Sequence, residues 1–274
     1  MKKIIPIILV IIFLGVAGFA AYKVLFITND YKQAVDEYTE VANNVKPQEE
    51  IQINEIIKII DENTTSIDPE TGEFILPEVF LPGHEMHIEN LDWDKLLSIN
   101  RDTIAYIIQH DTLIDYPIVQ GTDNAYYLNH TIMHKEVSSG TLFADYHNKN
   151  PYNQALTIVY GHNMTNQTMF GSLRNYIYDK EYFSNHEYMM LYTPDHVYLL
   201  EIFAFGQPSA FDAKIYDTTR DLTAIDYYNR LKSYKYVKKE ITVSENDRFM
   251  LMSTCTPRGG ENRTVIIGRL IPLD

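Results

Sequence analysis

The pattern of apolar and polar positions divides the chain into segments of different texture. Residues 4–22 carry no charge, and the apolar character continues through Phe26. This is about the length that an α-helix needs to cross a bilayer, so the pattern predicts a membrane anchor over residues 4–26. A cleaved signal peptide is the alternative, because small residues at Ala17 and Ala20 offer a possible cleavage point. The uncharged stretch is longer than a signal-peptide core, and this length favours the uncleaved anchor.

Charges on either side of this segment predict its orientation. Lys2 and Lys3 precede it and Lys23 follows it, an asymmetry that favours a cytoplasmic tail at residues 1–3 and an extracellular C-terminus. Without the first 26 residues, the net charge is more negative than the −14 of the whole chain. Such a surface argues against binding of nucleic acid, or of anionic lipid through the domain face. We therefore expect a single-pass protein of the cell membrane whose larger part is extracellular.

Polar positions dominate next, up to about residue 88. Residues 30–44 predict a polar helix that a proline ends, and isoleucines between positions 51 and 60 predict a second, short amphipathic helix. Residues 64–89 have the prolines and glycines of a loop, and its two histidines lack the acid-rich surroundings of a metal site. We interpret residues 27–88 as an N-terminal helical stalk, followed by one folded domain at residues 89–274.

From Leu91 onward, short apolar runs rich in β-branched and aromatic residues alternate with turn-forming residues. Many short strands at this spacing favour a barrel or a sandwich over alternating βαβ units. Helical patterns occur at about 91–99, 170–183 and 221–238. The fold class is therefore predicted to be mainly β, with inserted helices. The predicted strands are 104–108, 116–120, 140–145, 155–160, 189–192, 196–205, 249–254 and 264–271.

The single cysteine of the chain, Cys255, lies at the end of a strongly apolar strand. One cysteine cannot form a disulfide within the chain, and a lone thiol is more often a small buried hydrophobe than a nucleophile. The loop after it is rich in turn formers, and Arg263 opens the next apolar run. In an antiparallel pair these two strand ends face each other, so Cys255 and Arg263 should lie side by side. Arg258 in the loop is a weaker candidate, and Arg269 lies about 20 Å further along the strand.

A second strand leads to a histidine. Residues 156–160 form a buried-type run that continues into Gly161 and His162, the only one of nine histidines directly after a strong strand and a glycine. A turn histidine that bonds nearby backbone would look the same from spacing alone. A thiol with an ordinary pKa of about 8.5 is mostly protonated at neutral pH, and a nearby imidazolium or guanidinium raises the thiolate fraction. The imidazole can then protonate a leaving amine, and the guanidinium can stabilise an oxyanion.

These residues resemble the active site of the sortases. The stretch from Ser253 to Cys255, followed eight residues later by Arg263, looks like the sortase active-site strand pair, and Tyr160–Asn163 looks like its histidine loop. The helical pattern before the cysteine strand and several further stretches, in the family's order, are similar to the class B subgroup. The resemblance covers about residues 91–271, and the further stretches are 114–121, 123–130, 140–145 and 169–173.

The resemblance implies an eight-stranded sortase-type β-barrel with inserted helices and an N-terminal helical appendage. It implies a membrane-anchored cysteine transpeptidase of a Gram-positive-type envelope, which cleaves a C-terminal sorting signal of exported proteins without a metal or an organic cofactor. The acyl group would rest on Cys255 as a thioester and pass to an amine of cell-wall peptidoglycan, with His162 and Arg263 completing the catalytic group. The sorting-signal peptide would be bound by Asn124, Leu128, Tyr160, Ser253 and Thr256, although ordinary core packing is the alternative for Leu128 and Tyr160.

Three other functions fit the same residues. A hydrolytic cysteine protease would use these groups with water as the acceptor, and the residues alone do not separate hydrolysis from aminolysis. A pilin-polymerising sortase would keep the mechanism and use a lysine side chain of a pilin as the acceptor. A catalytically silent surface-binding domain on a membrane stalk would tolerate the loss of Cys255, which an enzyme would not.

Overall fold

The computed structural model describes residues 4–46, 90–218, 221–255 and 260–273. The helix predicted at 51–60 and the loop predicted at 64–89 lie outside these residues. The division of the chain into a tail, an anchor, a stalk and a domain at 89–274 therefore stays a prediction.

Helix α1, Ile4–Val45, joins the apolar N-terminal segment to the polar helix that the sequence predicts. The side chains from Ile12 to Leu25 are exposed, and this part of the helix is long and apolar enough to cross a membrane, a property that signal sequences share. The second half packs into the protein core through residues about one helical turn apart. These residues are Ala34, Tyr38, Val41 and Val45.

The rest of the described chain contains eight strands and four shorter α-helices. The strands are β1 (Thr103–Ile108), β2 (Asp115–Val119), β3 (Leu142–Ala144), β4 (Leu156–Tyr160), β5 (Tyr188–Tyr192), β6 (Val197–Gly206), β7 (Phe249–Cys255) and β8 (Arg263–Pro272). The helices are α2 (Trp93–Ile99), α3 (Asn175–Tyr178), α4 (Tyr182–Asn185) and α5 (Ala224–Ser233), with 3-10 helices at Tyr126–Leu128 and Gly171–Arg174.

Two of the predicted helical segments are shorter in the structure. The pattern at 170–183 becomes a 3-10 helix followed by α3 and α4, because Asp179 adopts an extended conformation between these two helices. The pattern at 221–238 becomes α5, which begins after Thr223, whose hydroxyl accepts from the amide of Asp226 at 3.0 Å. Lys235 follows the end of α5 with a φ of 59°, a left-handed conformation that terminates a helix.

The strands form a closed barrel in the order β1-β2-β3-β4-β7-β8-β6-β5, which confirms the predicted eight-stranded fold. Two neighbouring pairs are parallel, β2 with β3 and β4 with β7, and the other pairs are antiparallel. Closure of the barrel pairs the first and last strands of this order, so each of the eight described strands has a neighbour on both sides.

Strand β7 is buried on both faces. Its Met250 and Met252 side chains belong to the larger hydrophobic cluster, and Phe249 and Leu251 belong to a second cluster that includes α5. Successive side chains of a strand point to opposite faces, so this division follows the pleat. A strand covered on both faces has a continuous apolar sequence, as residues 249–252 have. Strand β4 pairs with β7 from Phe249 to Ser253, and β8 pairs with it as far as Cys255, so the position of the last residue is fixed by β8.

Candidate active site

Cys255 and Arg263 come together through the pairing of β7 with β8. β7 ends at Cys255, β8 begins at Arg263, and the two residues are opposite each other in the antiparallel register. The register continues without a bulge back to the pair of Phe249 with Arg269. This backbone position agrees with the pattern of strand, loop and strand in the sequence, and the catalytic role of the two residues stays a prediction.

Strand β4 brings His162 to the same end of the barrel. β4 runs parallel to β7 with Tyr160 opposite Ser253, and the chain continues two residues beyond this pair on each strand, to His162 and Cys255. The amide of Gly161 donates to the carbonyl of Ser253 at 3.2 Å, so the two chains remain adjacent past the last ladder pair. Three strand ends therefore deliver a cysteine, a histidine and an arginine to one edge of the barrel.

Gly161 allows the chain before His162 to pack closely against the barrel. A Cβ atom at this position would lie 2.4 Å from Leu142 Cδ2 and 2.7 Å from Phe170 Cδ2, well inside van der Waals contact. The amide of Phe170 also donates to the carbonyl of His162 at 3.0 Å. The glycine before the histidine is thus a packing requirement that fixes the backbone of His162.

The imidazole of His162 is oriented by a backbone carbonyl. Its Nε2 lies 2.7 Å from the carbonyl oxygen of Leu128, the last residue of the 3-10 helix between β2 and β3. A carbonyl can only accept a hydrogen bond, so Nε2 carries a proton in this arrangement. Nδ1 is then the nitrogen that gains or loses a proton when the ring changes its charge.

The guanidinium of Arg263 is oriented by its own loop. Its Nη1 donates to the carbonyls of Gly260 and Asn262, both at 3.0 Å. The backbone amide of Arg263 donates to the carbonyl of Pro208 at 2.9 Å, which joins the start of β8 to the segment after β6. Arg258, the weaker candidate from the sequence, lies outside the described residues.

A groove of about 330 Å³ opens beside His162 and Arg263. Four of the five residues predicted to bind the sorting signal line it, namely Asn124, Leu128, Tyr160 and Ser253. Thr256, the fifth, lies outside the described residues, and the binding role of all five stays a prediction. The groove is also lined by residues that the sequence analysis did not select: Phe143, Gly161, Ala210, Tyr216 and Thr254.

Leu128 and Tyr160 differ in how deeply their side chains are buried. Leu128 is 43% exposed, so ordinary core packing does not account for it. Tyr160 is half-buried, its ring packs against Phe143, and its hydroxyl donates to Asp145 Oδ2 at 2.8 Å. Burial and the nearby carboxylate raise the pKa of Tyr160, so its phenol keeps its proton. Tyr160 therefore packs in the core and lines the groove at once.

Tyr216 reaches the groove from the connection between β6 and α5. Its hydroxyl lies 3.0 Å from Ser253 Oγ, and its ring stacks on that of Tyr160 with the centroids 6.5 Å apart. Burial raises the pKa of Tyr216 to about 12, although the hydrogen bond with Ser253 opposes this rise, so the phenol is protonated at neutral pH. No periodic pattern marks residues 207–223, and one tyrosine among 21 gives no signal that sequence analysis could have used.

Within the part of the chain that the structure describes, no three His, Cys, Asp or Glu residues are grouped so that they could hold a metal ion. His147 Nδ1 lies 2.8 Å from Asp145 Oδ1. The other oxygen of Asp145 accepts from the Tyr160 hydroxyl. Asp145 therefore joins His147 to Tyr160, and Tyr160 is the member of this hydrogen-bonded group that lines the groove.

Comparison with known proteins identifies relatives that share the barrel. The family model for the sortase domain matches residues 108–271. The sortase B of Listeria monocytogenes is 34% identical over 189 residues, which cover 64% of this chain and 72% of the relative. Among solved structures, a Streptococcus pyogenes class B sortase involved in pilus biogenesis is 31% identical, with a TM-score of 0.58 over 65% of this chain and 97% of that chain.

A wider overlap is found with a Staphylococcus aureus sortase B–substrate complex, which covers 89% of this chain and 99% of its own, with a TM-score of 0.63. At 21% identity, this likeness concerns the fold alone. The sortase-domain match spans more than half of the chain, and the relatives agree in their class. The chain therefore belongs to the sortase family of cell-envelope enzymes, as a class B member and thus a cysteine transpeptidase that acts on sorting signals.

Proposed function

We propose that this enzyme cleaves a sorting signal near the C-terminus of an exported protein and transfers the new acyl end to an amine of cell-wall peptidoglycan. Cys255 is the nucleophile, His162 the acid and base, and Arg263 the ligand of the oxyanion or of substrate carbonyls. The observation that carries the proposal is the meeting of β4, β7 and β8, whose ends bring these three residues to one edge of the barrel. The family assignment favours this function over a protease or a silent binding domain.

The reaction takes two steps, and His162 moves one proton in each. The Cys255 thiolate attacks the scissile carbonyl carbon, the peptide C–N bond breaks, and the His162 imidazolium gives its proton to the leaving amine. The acyl group remains on sulfur as a thioester. An incoming neutral amine then attacks the thioester and gives one proton to neutral His162. This attack forms the new amide bond, breaks the C–S bond and releases Cys255 as a thiolate. The bond from Nε2 to Leu128 leaves Nδ1 for these transfers.

The sorting signal occupies the groove beside His162 and Arg263 in this proposal. The exposed side chain of Leu128 and the ring of Tyr160 offer apolar contacts. Asn124 accepts from the amide of Tyr146 through Oδ1 at 3.1 Å, so its amide nitrogen can donate to a substrate carbonyl. Ser253 is 2% exposed and shares a hydrogen bond with Tyr216, so it supports the wall and offers little free surface. Thr256, one residue after Cys255, completes the proposed set.

The proposal includes residues 4–26 as an uncleaved anchor, with residues 1–3 cytoplasmic and the catalytic domain, 89–274, outside. The exposed apolar side chains in this part of α1 and its membrane-spanning length support it. The same helix continues without a break into the half that packs on the barrel. An anchor of this kind would hold the barrel close to the outer surface of the membrane, where exported proteins emerge.

A direct test traps the acyl-enzyme with a library of candidate sorting peptides and locates the adduct by mass spectrometry. The adduct is expected on Cys255. Cys255→Ala is expected to abolish turnover with an unchanged circular dichroism spectrum, and Cys255→Ser to be nearly inactive, because a hydroxyl is far harder to ionise than a thiol. Full activity of Cys255→Ala, or an adduct on another residue, would show that the assignment of the nucleophile is wrong.

Pilin polymerisation is the second candidate function, because a relative with 31% identity is a class B sortase involved in pilus biogenesis. The acyl-enzyme would be the same, and the acceptor would be a lysine side chain of a pilin. Offering the trapped acyl-enzyme a lysine-containing pilin peptide and a peptidoglycan stem peptide in parallel separates the two functions by the amide that forms.

A further inference from the structure

Helix α1 holds the connection between β2 and β3. We name residues 126–141 of this connection the histidine-facing segment. Two carboxylates of α1 accept hydrogen bonds from its backbone: Asp30 Oδ2 from the amide of Ser138 at 3.0 Å, and Glu37 Oε1 from the amide of Met133 at 3.1 Å. Glu37 is 3% exposed, so this contact is buried between the helix and the segment. The second half of α1 therefore fixes the backbone of the histidine-facing segment at two points, Met133 and Ser138.

Tyr38 makes a third contact, at the end of the histidine-facing segment. Its hydroxyl donates to the carbonyl of Gly140 at 2.7 Å and lies 2.9 Å from Thr141 Oγ1. The side chain is 3% exposed, and its ring packs edge-on against Tyr116 of β2. Burial raises the pKa of Tyr38 well above its ordinary value, so the phenol stays a donor. The position of Gly140 is thus fixed by a buried hydrogen bond from α1.

Gly140 lies directly against the carbonyl group that binds His162. Gly140 adopts a φ of +57°, and a Cβ atom there would lie 2.3 Å from the oxygen of Tyr127 and 2.6 Å from the oxygen of Leu128. The amide of Thr141 donates to the same Tyr127 oxygen at 3.0 Å, which joins the two ends of the histidine-facing segment. Because Gly140 packs this closely against both carbonyls, we expect a displacement of Gly140 to shift the acceptor of His162.

We infer that Tyr38 is a positioning residue for His162. Tyr38 fixes Gly140, Gly140 fixes the carbonyl of Leu128, and this carbonyl keeps the proton of the neutral imidazole on Nε2. Nδ1 is then unprotonated and can take the proton of an incoming amine. The inference rests on the proposed role of His162 and adds that the helix joining the anchor to the barrel sets the tautomer of this histidine.

The tautomer can be measured on the full chain in detergent micelles with ¹⁵N-labelled histidine, because the nitrogen chemical shifts report which ring nitrogen carries the proton. The signals of His162 are identified by their absence in His162→Gln. At alkaline pH the wild-type ring is expected to be in the Nε2–H form. Tyr38→Phe keeps the ring and removes the hydroxyl, and is expected to increase the Nδ1–H population and to lower kcat about fivefold, as for the loss of one ordinary hydrogen bond.

Tyr227→Phe is the matched control. Tyr227 is buried like Tyr38, and its hydroxyl donates at 2.8 Å to the backbone carbonyl of Ile215, next to Tyr216 in the wall of the groove. Both variants are expected to lower Tm, and only Tyr38→Phe is expected to change the His162 tautomer. If Tyr38→Phe lowers Tm but leaves the tautomer as in the wild type, the inference is wrong and the contact is purely structural.

Failure of the proposed function would give a different result. If His162→Gln retains wild-type turnover, the acid and base role of His162 is wrong. The ¹⁵N spectra of Tyr38→Phe would still decide whether Tyr38 orients the ring, because they do not depend on activity.

Discussion

The two arginines of β8 differ in what their guanidinium groups bind. Arg269 donates to Glu201 Oε2 from Nε at 3.1 Å and from Nη2 at 2.6 Å, and Glu201 is 6% exposed. Arg263 donates from Nη1 to backbone carbonyls of its loop and lines the groove. Among the described residues Arg263 forms no ion pair with a carboxylate. Its charge is therefore available to a thiolate, an oxyanion or a substrate carbonyl.

Arg263→Lys is expected to lower kcat about 100-fold with little change in KM. Lysine keeps the charge but loses the planar fork that can serve two oxygens at once, and loss of one preorganised oxyanion ligand costs about this factor. Steady-state kinetics with a sorting peptide measure the effect. Arg269→Lys is the matched control in the same strand and is expected to lower Tm while kcat stays near the wild-type value. A near-normal kcat for Arg263→Lys would move the role to Arg258, so Arg258→Lys is measured beside it.

A site residue could be predicted from the sequence when its neighbours in the chain form a recognisable pattern around it. Cys255 follows an apolar strand, Arg263 opens one, and His162 follows a strand and a glycine, so each is marked by its neighbours in the chain. No such pattern in the neighbouring sequence indicates the carbonyl of Leu128 or the hydroxyl of Tyr216. Both reach the site only through tertiary contacts, and a backbone carbonyl has no residue type that could indicate it.

Among the elements, the second half of α1 packs on the barrel through a face whose sequence does not look amphipathic. The sequence predicts helix in both halves but describes the second half as part of a stalk. Its buried face contains apolar residues such as Tyr38 and Val41, but also Glu37. The buried carboxylate of Glu37 accepts from a backbone amide of the histidine-facing segment and forms an ion pair with Lys135 at 2.9 Å. A carboxylate on the buried face makes the helix look polar all round, so the pattern alone could not place it against the barrel.

Two shortened chains test the roles of the two halves of α1. A chain that begins near Thr28 is expected to be soluble, monomeric at modest concentration and as active on peptides as the full chain, because the proposed function gives residues 4–26 the role of an anchor alone. A chain that begins at residue 47 is expected to be several kcal/mol less stable, because it loses Tyr38, Val41 and Val45, and each buried apolar side chain contributes about 1.5–3 kcal/mol. Thermal unfolding and peptide kinetics measure both effects.

Two results would contradict these expectations, one for each half of α1. Loss of peptide activity in a well-folded chain that begins near Thr28 would show that the apolar half contributes to the active site. Equal Tm values for the two shortened chains would show that the second half is not part of the folded unit.

At the scale of the whole molecule, the barrel order interleaves segments that are distant in the sequence. The short strands at regular spacing indicated a barrel or a sandwich, and the resemblance to the sortases implied eight strands, which the structure has. The parallel pairing of β4 with β7 could not be predicted from the pattern. Both strands are mostly apolar and do not alternate between apolar and polar residues, so their sequences do not specify a partner or a register. The adjacency of His162 and Cys255 is therefore a property of the closed barrel.

The acyl-enzyme is expected to react with an amine faster than with water. In the proposed mechanism acylation leaves His162 neutral, and a neutral imidazole is the base that an attacking amine needs. Water can use the same base, so the protonation state alone does not exclude hydrolysis. Positioning decides between them, because an amine held in a groove beside the thioester gains effective concentration over bulk water.

This preference is measured by forming the acyl-enzyme with a sorting peptide and following its decay with and without an amine acceptor. Oligoglycine and a peptidoglycan stem-peptide analogue are the first acceptors, and the right one is expected to accelerate decay at least about tenfold with formation of the new amide. The N-acetylated form of the same acceptor is the control, because it keeps the shape and removes the nucleophile, and it is expected to leave the decay unchanged. If every amine leaves the decay rate unchanged and only free acid appears, then transfer to an amine is wrong for this enzyme and the thioester is resolved by water.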